Sequence, residues 1–338
     1  MKYALLMRGQ HQAEDDIVAR HRDDLALVKT AETLGFDAVG RAAHYSTAPL
    51  QMVSQVPFLA QAAALAPRLR LITSVVLLPM QKPLDIAEQL ASLDVMSEGK
   101  LIFGAGVGYR EVEFKSFGTS YKEAGRRFEE NLDAVKRLWT EPSVTMKGSH
   151  FELDAASCSV SPVQKPMPPI WIGANAEVGI RRAARMADAW FIPPHGTFTT
   201  LDQQLDLYKR ALEKNGKPFP ADLPIIREVF VADTWEEAMR RAGPPLAAKY
   251  AAYHSWGQDK VMPSQDHFDR NFEDLAADRF LLGSPDQVAE QIVALRRRFG
   301  ATWLCAGVHL AGMSHAEATE QMHRLAEQVF PLVARAGA

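Results

Sequence analysis

Short apolar runs alternate along the chain with longer segments in which apolar residues recur at helical spacing. Residues 69–78 are rich in Val, Ile and Leu without alternation, which is typical of a strand buried on both faces. The pattern repeats eight times. The predicted strands are residues 3–7, 37–40, 69–78, 101–107, 170–172, 189–192, 225–232 and 303–309. The predicted helices are residues 23–34, 49–65, 83–97, 126–139, 178–186, 201–215, 234–241 and 315–329.

Eight strand-helix units predict an α/β fold with a parallel sheet and helices outside it. Closure into a (β/α)8 TIM barrel is the favoured reading, and a doubly wound open sheet is the alternative. No linker divides the chain, so we expect a single domain over residues 1–338. Insertions are expected near residues 141–169, an irregular stretch with five prolines, and near residues 242–284, which should hold an extra helix.

The composition of the chain limits the classes of function and partner that can be expected. Of the 338 residues 47% are hydrophobic and 23% charged, and the net charge of −3 disfavours nucleic acid or an anionic membrane as partner. The longest apolar stretch, residues 71–80, is too short to span a bilayer, and the first residues lack the features of a signal peptide, so a cytoplasmic location is expected. The two cysteines and the spacing of the histidines predict neither a disulfide framework nor a metal site.

Active sites of such barrels lie at the carboxyl ends of the strands, and small residues are concentrated there in this chain. Gly104, Gly106 and Gly108 alternate at the end of the fourth strand, so a flat ring could lie against the backbone. The alternative is a strand that packs closely against its neighbour.

A second group of small residues links the fifth strand to its helix. Gly173, Ala174, Asn175 and Ala176 should present free amide groups at a helix N-terminus, which suits a cofactor phosphate, with Arg182 able to add a charged bond. The alternative is an ordinary helix capped by Asn175, with solvated arginines.

Taken in order, these segments resemble the bacterial luciferase-like monooxygenase family of flavin- and deazaflavin-dependent barrel enzymes. The resemblance rests on the His44 segment after the second strand, on Ser74 in the third strand, on the glycine run, and on the turn around Gly173. It implies that His44 is catalytic, as a general base or as the group that directs the oxygen chemistry of the flavin. An imidazole is apt because its ordinary pKa lies near neutrality.

The resemblance also implies that the ring lies beside Ser74 and the glycine run, including Tyr109, and that a cis peptide bond lies near Ser74. The family generally pairs through helices of the first half of the barrel, so residues 49–65 and 83–97 are expected to form a homodimer interface. Tyr45 and His195 are candidates for the substrate side.

Two positions depart from the family pattern. Many members carry an acidic residue before the histidine, where this chain has Ala43, and the deazaflavin dehydrogenases carry a glutamate where it has Tyr109. The loss of both carboxylates favours an FMN-dependent monooxygenase that uses reduced flavin and oxygen on a small organic substrate. The reduced FMN would come from a separate flavin reductase, since no nicotinamide fingerprint is present. The alternatives are a deazaflavin-dependent oxidoreductase and a non-catalytic flavin-binding protein.

Overall fold

The computed structural model describes residues 1–262 and 266–336 of the chain. Eight of its strands form a parallel barrel, and four short strands lie outside that ring. The strands are β1 (Lys2–Met7), β2 (Ala38–Arg41), β3 (Arg70–Thr73), β4 (Val76–Leu77), β5 (Leu101–Gly106), β6 (Val144–Lys147), β7 (Glu152–Ala156), β8 (Ile170–Gly173), β9 (Ala189–Phe191), β10 (Pro224–Val231), β11 (Leu281–Gly283) and β12 (Trp303–Gly307).

The barrel order is β1-β2-β3-β5-β8-β9-β10-β12, and β12 returns to pair with β1. Between β9 and β10 the ring is joined by a parallel bridge from Ile192 to Ile225. The Ile192 amide donates to Pro224 O at 2.9 Å, and the Ile226 amide donates to Ile192 O at 2.9 Å. The predicted barrel is confirmed, and seven of the eight predicted strands agree to within a few residues. The third, predicted over residues 69–78, is divided into β3 and the short β4.

Helices surround the barrel. They are α1 (Ile17–Thr33), α2 (Gln55–Leu65), α3 (Pro83–Met96), α4 (Glu111–Ser116), α5 (Tyr121–Thr140), α6 (Glu177–Met186), α7 (Phe198–Lys214), α8 (Trp235–Ser255), α9 (Phe272–Ala276), α10 (Pro285–Phe299), α11 (His315–His323) and α12 (Phe330–Ala336). Local signals fix their ends: Asp16 caps α1 by accepting from the Val18 amide at 2.9 Å, and Ser284 with Gln287 forms a capping box at α10.

Side chains fill the interior of the barrel, so it is a core and not a channel. The indoles of Trp171 and Trp303 meet edge to face with their centroids 5.4 Å apart. Leu6, Phe191 and Ile226 lie in the same buried cluster and also line the cavity described below. The upper layer of the core is therefore the floor of that cavity.

Both predicted insertions differ in detail from the expectation. Residues 141–169 include the antiparallel hairpin of β6 and β7, which the irregular, proline-rich sequence did not suggest. Residues 242–255 continue α8 through Pro244 and Pro245, although a proline removes one backbone donor from a helix. The helix persists because Ala242, Leu246 and Tyr250 pack into a buried cluster with the end of β10. β11 pairs with that end, outside the barrel.

Two further expectations concern surfaces. In the two described ranges, no helix combines the length and apolar content that crossing a bilayer requires. At the end of α3, Val95 and Met96 are exposed, as is Leu65 at the end of α2. Homodimer formation through these helices stays a prediction.

Candidate functional site

A cavity of about 410 Å³ opens at the carboxyl ends of the barrel strands. Most of the residues predicted for the site line it, although they come from five different loops or strand ends and from α6. They are His44, Ser74, Gly106, Gly108, Tyr109, Gly173, Ala174, Asn175, Ala176, Arg182 and His195. Two predicted residues, Gly104 and Tyr45, are not among the described residues that line it.

His44 is held by a buried carboxylate. Its Nδ1 lies 2.9 Å from Oε1 of Glu113, a residue of α4 whose side chain is inaccessible to solvent. The same oxygen accepts from the Tyr45 amide at 2.9 Å and from Arg110 Nη1 at 3.2 Å. With Nδ1 donating to Glu113, Nε2 is the imidazole nitrogen that can take or give a proton in the cavity.

This pair corrects the inference drawn from Ala43 and Tyr109. The chain has not lost its carboxylate partner for the histidine, because Glu113 supplies it from four residues beyond Tyr109. Tyr109 lines the cavity, and burial raises the pKa of its phenol well above 10, so it remains protonated. The argument that missing carboxylates favour oxygen chemistry over hydride chemistry therefore does not hold.

Tyr45 lies behind the histidine rather than in the cavity. Its ring meets Phe117 edge to face at 4.6 Å, and its hydroxyl accepts from Gln81 at 3.1 Å. Its amide and carbonyl groups bond to Glu113 and Arg110. Tyr45 thus supports the His44–Glu113 pair and does not line the cavity.

One wall of the cavity is formed by Ser74 and Val75, whose peptide bond is cis, as the resemblance implied. A Cβ at Gly106 would come within 2.5 Å of Val75 Cγ2, and one at Gly173 within 3.4 Å of Val75 Cγ1. The missing side chain at Gly106 therefore makes room for the valine, whereas a Cβ at Gly173 would be in ordinary van der Waals contact with it.

Gly104 has a different reason for its missing side chain. A Cβ there would overlap the carbonyl oxygen of Thr73, and the Gly104 amide donates to Thr73 Oγ1 at 2.8 Å. The close approach of β3 and β5 explains this glycine, as in the alternative reading of the run. Gly108 turns the chain after β5 with a φ of +85°.

The turn from β8 into α6 matches the predicted anion site. Ala176 occupies the N-cap position and supplies no side-chain cap, so the first amide groups of α6 have no side-chain acceptor there. Arg182 lines the same end of the cavity and also donates to Glu129 at 2.9 Å. Arg181, in contrast, is exposed and faces Glu177.

His195 lies beside Asn175, and the Nδ2 atom of Asn175 is 3.2 Å from Nδ1 of His195. Burial and the cationic side chains of Lys249, Arg8, Arg279 and Arg227 lower the pKa of His195 well below 6.5. The ring is therefore neutral. With Nδ1 accepting from Asn175, its proton lies on Nε2.

A cluster of charged residues beside His195 was missed in the sequence. Arg8, directly after β1, lines the cavity, and its Nη2 lies 2.5 Å from Oε1 of buried Glu228 in β10. Lys249 of α8 bonds to the same oxygen. Arg8 Nη1 also donates to the hydroxyl of Tyr253 at 2.6 Å. The available signal was Glu228 itself, a charge within the apolar run of residues 225–232.

Among residues 1–262 and 266–336, no three His, Cys, Asp or Glu side chains are grouped so that they could hold a metal ion. Two aromatic side chains flank His44. Tyr109 and Trp256 meet it edge to face at 5.8 and 6.0 Å, and the Arg110 guanidinium lies 4.6 Å from the Trp256 ring centroid. His44 is thus enclosed by aromatic side chains and a buried ion pair.

Three curated relatives give the sequence comparison. An uncharacterised Sinorhizobium fredii protein, y4vJ, is 29% identical over 232 residues, which are 68% of this chain and 65% of that protein, just under two thirds of its length. Limonene 1,2-monooxygenase of Rhodococcus erythropolis is 26% identical over 95% of this chain and 84% of its own. The FMNH2-dependent dimethylsulfone monooxygenase of Pseudomonas putida is 26% identical over 74% of this chain and 70% of its own length.

Solved structures give the same fold. Monooxygenase RslO1 from Streptomyces bottropensis superimposes with a TM-score of 0.82 at 27% identity, covering 98% of this chain and 99% of that one. The oxygenating constituent of 3,6-diketocamphane monooxygenase from Pseudomonas putida, solved with FMN, gives a TM-score of 0.83 at 21% identity, with 98% of each chain covered. An F420-dependent secondary alcohol dehydrogenase gives a TM-score of 0.78 at 17% sequence identity, with 98% of each chain covered.

The sequence model of the family described as "Luciferase-like monooxygenase" matches residues 1–302, which include every residue that lines the cavity described above. The chain belongs to the luciferase-like monooxygenase family.

Proposed function

We propose that the protein is an FMN-dependent monooxygenase that uses reduced FMN and oxygen to oxygenate a small organic substrate. The observation that carries the proposal is the form of the cavity, in which an anion-binding turn at one end leads to an apolar chamber around His44. Relatives named as monooxygenases, one of them FMNH2-dependent, support the choice of chemistry.

The residues present fit FMN. The uncapped N-terminus of α6 and Arg182 would hold the phosphate, because both offer N–H donors and positive charge. The ring would lie against the wall formed by Val75. Ser74 Oγ is buried without a hydrogen-bond partner among the described residues, so it has a free group for the polar edge of the ring. Bound reduced FMN supplies the electrons that activate oxygen.

The protein would supply the proton chemistry and the exclusion of water. His44 Nε2 can accept a proton from the substrate, and Glu113 stabilises the imidazolium that results. The rings of Tyr109 and Trp256 cover His44, so bulk water has little access to this proton. A separate reductase is proposed as the source of reduced FMN.

A second candidate is a deazaflavin-dependent oxidoreductase, and the His44–Glu113 pair is the observation that favours it. Hydride removal from an alcohol needs a base for the hydroxyl proton, and this pair can serve as one. Titration of the protein with oxidised FMN, reduced FMN and the deazaflavin, followed by absorbance, distinguishes the two. Tight binding of FMN supports the monooxygenase, whereas tight binding of the deazaflavin alone contradicts it.

Ala176→Asp tests the phosphate site directly. The new carboxylate would cap the first amide groups of α6 and repel a phosphate, so we expect FMN to bind at least about tenfold more weakly, equivalent to about 1.4 kcal/mol. The same change should stabilise the fold by about 1 kcal/mol, which separates a binding effect from unfolding. Ala176→Asn is the matched control, since it caps the helix without charge. Unchanged FMN affinity in Ala176→Asp would place the phosphate elsewhere.

A further inference from the structure

The side of the cavity next to β1, which lies across the barrel from β8, is lined by hydrogen-bond donors. Arg8 reaches it, and among the described residues its guanidinium donates to Tyr253 and Glu228 alone, so it has further N–H groups for a ligand. Tyr253 accepts from Arg8, so its own hydroxyl proton is free to donate. The neutral ring of His195 carries its proton on Nε2. Three donors from three separate segments therefore converge at one end of an otherwise apolar chamber.

The buried charges around this end do not balance. Arg8, Arg227, Lys249 and Arg279 are cations, and Glu228 and Asp266 are the buried carboxylates that pair with them. Arg227 bonds only to the carbonyl oxygens of Pro193, Ile226 and Gly196 among the contacts of the described residues. Even with Lys249 neutral, three arginines face two buried carboxylates, and Asp278, whose charge also acts on Arg227, is exposed to solvent. The potential at this end is positive in a setting with little water to screen it.

The hydrogen-bond acceptors nearby do not balance this excess of positive charge. Glu228 lies behind Arg8 and is not among the described residues that line the cavity. Gln258 lines the cavity, and its buried Oε1 has no hydrogen-bond partner among the described residues, but a rotated amide would present a further N–H at the same place. The floor of the chamber is apolar and is formed by Leu6, Phe191 and Ile226.

We infer that the substrate is an apolar molecule with one anionic group, of the size of a carboxylate, which is bound by Arg8, Tyr253 and His195. Its apolar body would lie over the floor of the cavity, so the anionic group fixes which carbon faces His44 and the flavin ring. The inference deepens the proposed function and rests on it for the position of the ring.

Calorimetric binding of a matched pair of probes tests the inference. Cyclohexanecarboxylate and its carboxamide have the same apolar body and nearly the same shape, and differ in charge at pH 7.5. Both are titrated into the FMN-saturated protein and into the protein without FMN. We expect the carboxylate to bind at least about tenfold more tightly than the amide, the usual scale for one charge-assisted hydrogen bond.

Variants assign the preference to named groups. Arg8→Met should abolish the preference for the carboxylate, whereas Arg8→Lys should keep part of it, and FMN affinity should stay within about threefold in both. Tyr253→Phe removes one donor without changing charge and should lower the preference several-fold, so it tests the inference even if Arg8→Met fails to fold. Arg68→Met, at an exposed arginine outside the cavity, should change nothing.

Two outcomes overturn the inference. One is equal binding of the carboxylate and the amide by the wild-type protein. The other is that Arg8→Met weakens FMN at least tenfold and leaves the probe preference unchanged, which would mean that these cations serve the flavin ring. A carboxylate preference in a protein that binds no flavin would support the donor end and contradict the proposed function.

Discussion

The two histidines of the cavity have opposite surroundings. His44 faces a buried carboxylate, Glu113, whereas His195 lies among four cationic side chains and accepts a bond from Asn175. His44 donates a hydrogen bond to that carboxylate, whereas burial and the cationic side chains lower the pKa of His195 and keep its ring neutral. The same side chain is thus suited to proton transfer at one place and to neutral hydrogen-bond donation at the other. Position in the barrel alone does not distinguish these roles, since both residues follow strand ends.

The largest expected effect is that of His44→Ala. Loss of a positioned proton acceptor should lower substrate oxygenation about 100-fold, with FMN affinity within about threefold because the proposed phosphate site belongs to a different strand-helix unit. Oxygen taken up should then appear as hydrogen peroxide. Incorporation of labelled oxygen into product measures the first effect, and a peroxidase assay measures the second. His323→Ala, outside the cavity, is the control. Undiminished oxygenation by His44→Ala would leave His44 without a catalytic role.

Glu113→Gln tests whether the carboxylate defines the role of His44. The amide keeps the shape but cannot stabilise a charged imidazole, so we expect oxygenation to fall about tenfold or more. Arg110 would also lose its buried counter-charge, which should cost about 3 kcal/mol in urea unfolding. The control is Glu111→Gln, since Glu111 is exposed on the same helix and pairs only with Lys115. Equal rates for the two variants would show that His44 acts without Glu113.

The smallest expected effect concerns His195 and the stability of the fold in acid. Its pKa is lowered in the folded protein, so below about pH 6.5 the unfolded chain binds a proton that the folded chain does not. Stability present above that pH is therefore lost as the pH falls, by up to about 1.4 kcal/mol per pH unit.

Urea unfolding at pH 7.5, 6.5 and 5.5 measures this loss, and His195→Asn should lose less stability than the wild type over the same range. His150 and His309, whose pKa values are also lowered by burial, are present in both proteins and cancel in the comparison. Parallel curves for the two proteins would show that His195 is protonated in the fold.

The barrel was predictable because its strands are buried on both faces and are therefore continuous apolar runs. The turn at Gly173–Ala176 and the location of His44 followed from the same logic, since strand ends meet at one rim. The sequence predicted an extra helix within residues 242–284 but not the continuation of α8 to residue 255. Gly243, Pro244 and Pro245 oppose helix formation locally, and packing against the end of β10 overrides them.

The partners of the two histidines could not be predicted. Glu113 is 69 residues from His44 in the chain, and Arg8 is 220 residues from Glu228. Neither pairing leaves a periodic pattern in sequence. The glycine run was interpreted as a surface for a flat ring, with close packing of a neighbouring strand as the alternative. The groups that approach Gly104 and Gly106 are Thr73 and Val75 of the same chain.

One helix, α8, carries Lys249 and Tyr253 to the donor end and leads directly to Trp256 above His44. Insertion or deletion of a single residue in it would rotate everything beyond by about 100° and replace these side chains together. The turn before α6 and the wall at Val75 belong to other segments and would be unaffected. A change in the length of this one helix would therefore alter the side chains proposed to bind the substrate. The residues proposed to hold the flavin would stay the same.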